Sequence, residues 1–132
     1  MGRYYHGDIE GKFWQGIQSS DDARHFGGHE TELQDEESGV VHELEYFFNM
    51  DDIQDINSGI ATCIEDLGVY KEKLDEFFNE RPSYNDDDLS KHLGVSKDEC
   101  STLLESYARL QLGYQIKVCV WEKGQCAFIA EL

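Results

Sequence analysis

Helical periodicity across residues 51–80 constrains the fold more than any other feature of this chain. Its apolar side chains recur every three or four residues, at Ile53, Ile56, Ile60, Cys63, Ile64, Leu67, Tyr70, Leu74, Phe77 and Phe78. At about 100° per residue these positions fall within an arc of roughly 140°, so they predict a helix with one buried face. Asp51 is the predicted N-cap. Arg81-Pro82 is the predicted end, because the residue before a proline avoids the helical conformation.

A glycine inside this stretch predicts that the helix is interrupted. A continuous helix over residues 51–80 would be about 45 Å long, whereas a compact domain of this size is about 36 Å wide. Leu67-Gly68-Val69 has the form of a helix end followed by an apolar residue. We therefore predict a break or kink at Gly68.

The side of this helix opposite the apolar stripe is acidic, and so is the segment that follows it. The candidate acidic face consists of Asp51, Asp55, Glu65, Asp66, Glu72, Glu76, Asp86, Asp87 and Asp88. The whole chain has a formal charge of −17, with 28 acidic residues against 11 Lys and Arg. Such a charge repels phosphate backbones and anionic membranes and attracts basic surfaces. The simpler interpretation is that the acids only keep a small protein soluble.

Length and composition predict a single α+β domain over residues 1–132. A chain of 132 residues with 39% hydrophobic content is long enough for one core and too short for two. The N-terminus lacks a basic region followed by an apolar run, and no stretch approaches the roughly 20 apolar residues of a membrane span. The four cysteines form no C-x-x-C pair and are expected to be buried free thiols of a reducing compartment. We therefore expect an intracellular, cytoplasmic protein without a membrane partner.

The first half of the chain is predicted to supply three strands of an antiparallel sheet. An N-terminal β-hairpin is predicted from residues 4–6 and 12–18, with the glycine-flanked segment 7–11 as its turn. A short helical turn is expected to follow and to end at Gly27. Residues 29–38 are polar and without period, which indicates a solvated loop. Alternation over residues 40–48 favours a middle strand, with a helix as the competing interpretation.

The second half is predicted to contain a helix-turn-helix-like pair and a C-terminal hairpin. Gly94 is the predicted tight turn between the two helices, and Ser96 is the predicted cap of the second helix. Gly113 is expected to end that second helix. Residues 114–121 and 125–132 then form a hairpin around residues 122–124 and complete the antiparallel sheet.

Four blocks of this sequence resemble a group of uncharacterised small proteins of bacteriophages and large DNA viruses. The blocks are Arg-Tyr-Tyr-His-Gly-Asp-Ile-Glu-Gly-Lys-Phe-Trp at residues 3–14, Gln-Ser-Ser-Asp-Asp-Ala at 18–23, the run at 84–96 and Lys-Gly-Gln-Cys at 123–126. In that group an aromatic residue usually stands at the place of Gln15, and an acidic-aromatic pair at the place of Arg24-His25. No activity is attached to the group. The resemblance implies an accessory protein that works inside an infected cell.

The acidic face leads to the first functional hypothesis, a non-enzymatic interaction protein. Acids one helical turn apart are separated by about 6 Å, so several turns present a row of charges that a basic nucleic-acid groove accepts in place of phosphates. The expected partner is a host protein with a basic surface. In its sharper form, the hypothesis is a DNA mimic that inhibits a host nucleic-acid-binding protein.

The N-terminal aromatic residues lead to a second hypothesis, a protein that binds a small ligand or a nucleotide. Glycines let a backbone approach a flat ligand, and aromatic rings stack on it. The candidate ligand-binding residues are Tyr4, Tyr5, His6, Phe13 and Trp14.

A third hypothesis is a winged-helix-like regulator built from the helical pair and the following hairpin. The second helix carries Asp98, Glu99 and Glu105 against Lys97 and Arg109. A DNA-reading helix instead offers cations to phosphates and Arg, Lys, Asn or Gln to base edges. We therefore expect no direct binding of nucleic acid.

No catalytic signature is present in the chain. There is no G-x-S-x-G, H-E-x-x-H or Walker-type run. His6, Asp8 and Glu10 lie close together in sequence, but histidine and carboxylates beside a turn are common surface chemistry. We expect neither an enzyme, nor a cofactor, nor a metal site.

Overall fold

Five strands form one antiparallel sheet, in the order β2-β1-β5-β4-β3. The computed structural model describes residues 3–14, 17–81 and 83–132. Its strands and helices are β1 (Tyr4–Gly7), β2 (Gly11–Lys12), a 3₁₀ helix (Asp22–Phe26), β3 (His29–Gln34), β4 (Val41–Asn49), a 3₁₀ turn (Met50–Asp52), α1 (Ile53–Leu67), α2 (Tyr70–Glu80), α3 (Asp86–Leu93), α4 (Lys97–Lys123) and β5 (Gln125–Glu131). The predicted α+β class is confirmed.

The C-terminal strand β5 lies at the centre of the sheet. Ala130 is aligned with Tyr5 on β1 and with Leu44 on β4. Alternate side chains of β5, Cys126, Phe128 and Ala130, are buried against the helices. The two halves of the sheet, β2-β1 and β4-β3, are therefore joined only when β5, at the end of the chain, pairs with both.

The predicted C-terminal hairpin is wrong, because residues 114–121 belong to the long helix α4. Within that segment Ile116, Cys119 and Val120 are buried, whereas Val118 and Trp121 are 52% and 59% exposed. This spacing of three and four residues is helical and not the alternation of a strand. The predicted helix end at Gly113 is also wrong, since this glycine lies inside α4, where its missing side chain makes room for a packed ring.

The break in the first helical stretch is confirmed. Gly68 has φ +54°, a conformation that side chains rarely adopt, and it separates α1 from α2. The predicted cap at Asp51 is wrong. Asn49 instead accepts the Asp51 backbone N–H at 2.9 Å and donates its own N–H to Asp52 at 2.9 Å, so the chain makes a 3₁₀ turn before α1 begins.

Strand β3 was predicted as a loop and is an edge strand. Its six residues pair with β4, for example Glu30 with Tyr46 and Glu32 with Leu44. Their polarity follows from the edge position, because charged side chains on an edge strand discourage pairing with other chains. Glu30 is held by Arg24, whose Nη2 donates to Oε2 at 3.0 Å.

The other local predictions hold. The N-terminal hairpin is present, although its second strand is limited to β2 and part of the predicted strand lies outside the described residues. The middle strand is β4. Gly94 adopts the left-handed conformation between α3 and α4, and the Ser96 hydroxyl accepts the Glu99 N–H at 3.2 Å. All four cysteines are buried free thiols.

The ring of Phe26 packs against Gly59 of α1 and Gly113 of α4 and holds the 3₁₀ helix between these two helices. Phe26 is fully buried. A Cβ atom on Gly113 would lie 2.5 Å from this ring, and one on Gly59 would overlap the His25 carbonyl oxygen. The two glycines therefore permit a close approach that no other residue type fits. This packing sets the position of His25 beside α1.

Candidate functional site

All nine residues of the candidate acidic face are exposed. Two of them are paired within the described part of the chain. Lys97 Nζ lies 2.8 Å from Asp87, and Arg81 Nη1 lies 3.4 Å from Asp88. Surface pairs of this kind contribute little to stability and are screened by salt. The α3 end of the face therefore carries less net charge than its sequence suggests.

The break at Gly68 divides the rest of the face into two surfaces of different character. Residues 51–67 contain five acids and no Lys, Arg or His, whereas α2 mixes its acids with Lys71 and Lys73. Lys71 Nζ lies 2.7 Å from Asp75 on the same helix. The strongest charge of a single sign is therefore on α1, and Glu72 and Glu76 lie on a mixed surface.

On α1 the acids form two clusters at opposite ends of the helix. Asp51, Asp52 and Asp55 lie at its start, Glu65 and Asp66 at its end, and no acid stands between Asp55 and Glu65. Ten residues of helix separate the clusters by about 15 Å. The acids thus form two separate clusters and not a row with one charge per turn.

A polar groove of about 480 Å³ runs between α1 and the 3₁₀ helix. It is lined by Asp55 and Asp66 from α1, by His25, and by Arg109 from α4. Arg109 Nε donates to Asp22 Oδ1 at 3.2 Å, so its charge is already compensated. Burial and the charge of Arg109 lower the pKa of His25, which favours the neutral imidazole. His25 and Arg109 were missed from the sequence because only tertiary packing brings them to α1.

The buried carboxylate of Asp22, which accepts from Arg109, gives the stability of the fold a testable pH dependence. Burial raises the pKa of Asp22 above its ordinary value of 3.8, although the Ser19 N–H and Arg109 oppose the shift. An acid with a raised pKa stabilises the fold less once it ionises, so its contribution falls as the pH rises above about 4. We expect the stability of the wild type relative to Asp22→Asn to decrease from pH 4 to pH 7, measured by urea unfolding. A difference that stays constant over this range would contradict the assignment.

The five candidate ligand-binding residues separate into two groups. Strand alternation places Tyr4 and His6 on the outer face of the sheet, where Tyr4 is 44% exposed and His6 lies 3.7 Å from Glu131. Tyr5 points to the opposite face and stacks on Phe13 with centroids 4.2 Å apart. Trp14 is half-buried, 4.9 Å from the ring of Phe78. Tyr4 and His6 therefore do not belong to a site with the other three.

Tyr5 and Trp14 line a cavity of about 140 Å³ between the N-terminal hairpin and α4. Gln111 and Gln115, one turn apart on α4, also line it. They line as well a larger groove of about 520 Å³, which shares Ile9 and Glu10 with the cavity. The two glutamines were missed because residues 114–121 were predicted as a strand, which hides the i, i+4 relation between them.

The winged-helix hypothesis loses the hairpin on which it depended. Residues 114–123 continue α4, and β5 pairs inside the main sheet. Asp98, Glu99 and Glu105 are exposed on α4. The described residues thus contain no wing beside the helical pair, and the exposed side of α4 keeps its acids.

Two further properties bear on the class of protein. Among the described residues no group of three or more His, Cys, Asp or Glu side chains is placed to hold a metal ion. No helix in the described ranges combines the length and the apolar character that crossing a bilayer requires.

Comparison with family models, with curated proteins and with solved structures gives no match to this chain. Two surfaces of the molecule are candidates for function, the acidic side of α1 and the cleft beside Tyr5.

Proposed function

We propose that this protein is a non-enzymatic interaction protein whose acidic surface on α1 binds a partner with a basic surface. One observation carries the proposal. Residues 51–67 contain five carboxylates with no cationic residue among them, and none of the five has an ion-pair partner within the described part of the chain. Asp52 accepts the Asn49 N–H in the 3₁₀ turn, and the other four are exposed.

The electrostatics of such a surface favour a basic partner. Exposed carboxylates without counter-charges keep their full negative potential, which steers a positive surface towards them and strengthens the encounter at low salt. The clusters at Asp51 and Asp55 and at Glu65 and Asp66 lie about 15 Å apart. They suit a partner with two separate groups of Lys or Arg. The polar groove beside Asp55 and Asp66 offers room for one such side chain.

DNA mimicry is the sharper form of the same proposal. It requires that the basic surface of the partner also binds nucleic acid, and the resemblance to viral accessory proteins implies that the partner belongs to a host. Competition distinguishes the two forms. Duplex DNA should displace this protein from its partner if the partner uses one basic surface for both.

Matched charge variants test the proposal. We expect Asp51→Asn/Asp55→Asn and Glu65→Gln/Asp66→Asn each to weaken the complex about tenfold at low salt, by removing two charges from the interface. The partner is first captured from a host lysate at low salt and identified. Affinities of the purified pair are then measured by calorimetry at low and high salt.

The control changes the net charge by the same amount at a remote site. Glu36 and Glu37 lie in the turn between β3 and β4, at the opposite end of β4 from the start of α1, and they are exposed. Glu36→Gln/Glu37→Gln should leave the affinity within about twofold. If this control weakens binding as much as the α1 variants, or if salt has no effect, the acidic surface only confers solubility.

A further inference from the structure

The cleft beside Tyr5 contains a buried polar atom without a partner. Tyr5 is 3% exposed, and its hydroxyl makes no hydrogen bond to any part of the chain that the structure describes. Buried hydroxyls are nearly always hydrogen-bonded, because leaving one unpaired is costly. Burial also raises the pKa of Tyr5, so the hydroxyl stays protonated and is a donor. Tyr5 also lines the 140 Å³ cavity, so its hydroxyl is a donor at the wall of a site, without a partner among the described residues.

The other polar side chains of the cleft differ in whether they are free to bind. Gln18 is fully engaged, since its Oε1 accepts the Trp14 N–H at 2.7 Å and its Nε2 donates to the Ala108 carbonyl at 2.9 Å. Gln111 and Gln115 make no side-chain hydrogen bond to other described residues. Each primary amide offers a donor and an acceptor side by side. The edge of a nucleobase presents the complementary pair.

The size of the cleft and its aromatic lining suit a small molecule with one apolar face. Trp14 is only half-buried and lines the cavity, so part of its ring is available for stacking. The cavity and the adjoining groove together fall within the range of about 300–1,000 Å³ that is typical of small-molecule sites.

The charged residues that line the cleft favour a nucleoside over a nucleotide as its ligand. The cavity and groove are lined by Asp8, Glu10 and Glu122 against Lys12 and Lys123. Asp8 already accepts the Ala127 N–H at 2.9 Å and lies 3.4 Å from Lys123 Nζ. With a formal charge of −17 on the whole chain, this environment disfavours a phosphate.

We propose that this cleft binds an uncharged nucleobase or nucleoside, whose edge hydrogen-bonds to Gln111, Gln115 and the Tyr5 hydroxyl and whose face stacks on Trp14. The site is independent of the acidic surface on α1. Of the five residues predicted from the sequence, the site contains Tyr5 and Trp14 but not Tyr4, His6 or Phe13. Gln111 and Gln115 of α4 complete it.

Fluorescence of Trp14 tests the proposal directly. Trp121 is 59% exposed and lines neither cavity, so Trp121→Phe leaves Trp14 as the sole reporter. Adenosine, guanosine, cytidine and uridine are titrated separately, each alongside its 5′-monophosphate. We expect saturable quenching by at least one nucleoside, and binding of its monophosphate at least tenfold weaker. No saturation by any nucleoside, or equal binding of the monophosphate, would overturn the proposal.

Three variants locate the site. Gln111→Ala/Gln115→Ala should weaken nucleoside binding at least tenfold. Gln54→Ala, a substitution of an exposed glutamine on α1, should leave it unchanged. Tyr5→Phe should weaken binding about fivefold without lowering the melting temperature of the free protein, because it removes a hydroxyl that has no partner there. If Tyr5→Phe instead lowers that temperature and leaves binding intact, the hydroxyl has a structural role and the assignment fails.

Discussion

Replacing Phe128 by alanine is expected to lower the free energy of unfolding by about 3–5 kcal/mol, a large share of the total stability of a small domain. Phe128 is 2% exposed at the centre of the sheet. Its ring centroid lies 5.6 Å from that of Tyr5, 5.5 Å from that of Tyr46 and 6.3 Å from that of Phe48. Removing the ring leaves a cavity that borders three strands, so no single strand can move to fill it.

The adjacent residue provides the control for this prediction. Ile129 lies on the same strand but faces the opposite side of the sheet, where it is only partly buried. Ile129→Ala should cost about 1 kcal/mol or less, because less apolar surface is lost from contact. Urea unfolding followed by circular dichroism measures both variants. Equal losses would show that the helices do not pack on the Phe128 face.

Gly59→Ala is the second variant for which we expect a large effect. It should lower the free energy of unfolding, although helix propensity alone predicts an increase. At an exposed helical position alanine is favoured over glycine by about 1 kcal/mol. In α1, however, the new Cβ would overlap the His25 carbonyl oxygen, which is a backbone atom. The 3₁₀ helix would have to move, so we expect a net loss of about 2–3 kcal/mol in the free energy of unfolding.

Two further variants separate packing from propensity. Asn57 is exposed on the same helix, and Asn57→Ala should stabilise the protein slightly. Gly113→Ala introduces a Cβ at 2.5 Å from the Phe26 ring, and Phe26→Leu should relieve part of this clash. We therefore expect the Gly113→Ala/Phe26→Leu double variant to be more stable than the sum of the single changes implies. Strict additivity would mean that the ring does not fill the gap between the helices.

The same packing connects the fold to the acidic surface. Phe26 holds the 3₁₀ helix against α1, and this contact places His25 in the groove beside Asp55 and Asp66, opposite Arg109 of α4. A variant that displaces the 3₁₀ helix should therefore also alter this groove. Binding assays of the glycine variants need a check of folding first, whereas the charge variants on α1 leave the packing intact.

The sequence by itself determined the features that depend on local chemistry. The break at Gly68 and the turn at Gly94 could be predicted because glycine after an apolar residue commonly ends a helix. The same signal failed at Gly113, which stays inside α4 because it packs against the ring of Phe26. Ser96 caps its helix through its own hydroxyl, and alternation identified β4. Exposure of the acids also followed from helical period, because carboxylates without partners stay in water. These signals require no knowledge of distant residues.

Only the tertiary structure decided the form of residues 114–121 and of β3. Apolar residues stand at nearly every second position in the first segment, and its β-branched content suits a strand, but burial of Ile116 and Val120 against the rest of the core makes it helical. Strand β3 has almost no apolar residues and exists because β4 presents a free edge to it. Both outcomes depend on partners far away in the chain.

The candidate ligand site shows the same division. Tyr5 and Trp14 stood out in the sequence as aromatic residues among glycines, but their neighbours Gln111 and Gln115 lie about a hundred positions later. They meet because β5 pairs with β1 and so brings the N-terminal hairpin against α4. Local chemistry identified the aromatic residues. Gln111 and Gln115, which would hydrogen-bond to the edge of a ligand, lie beside these aromatic residues only because β5 pairs with β1.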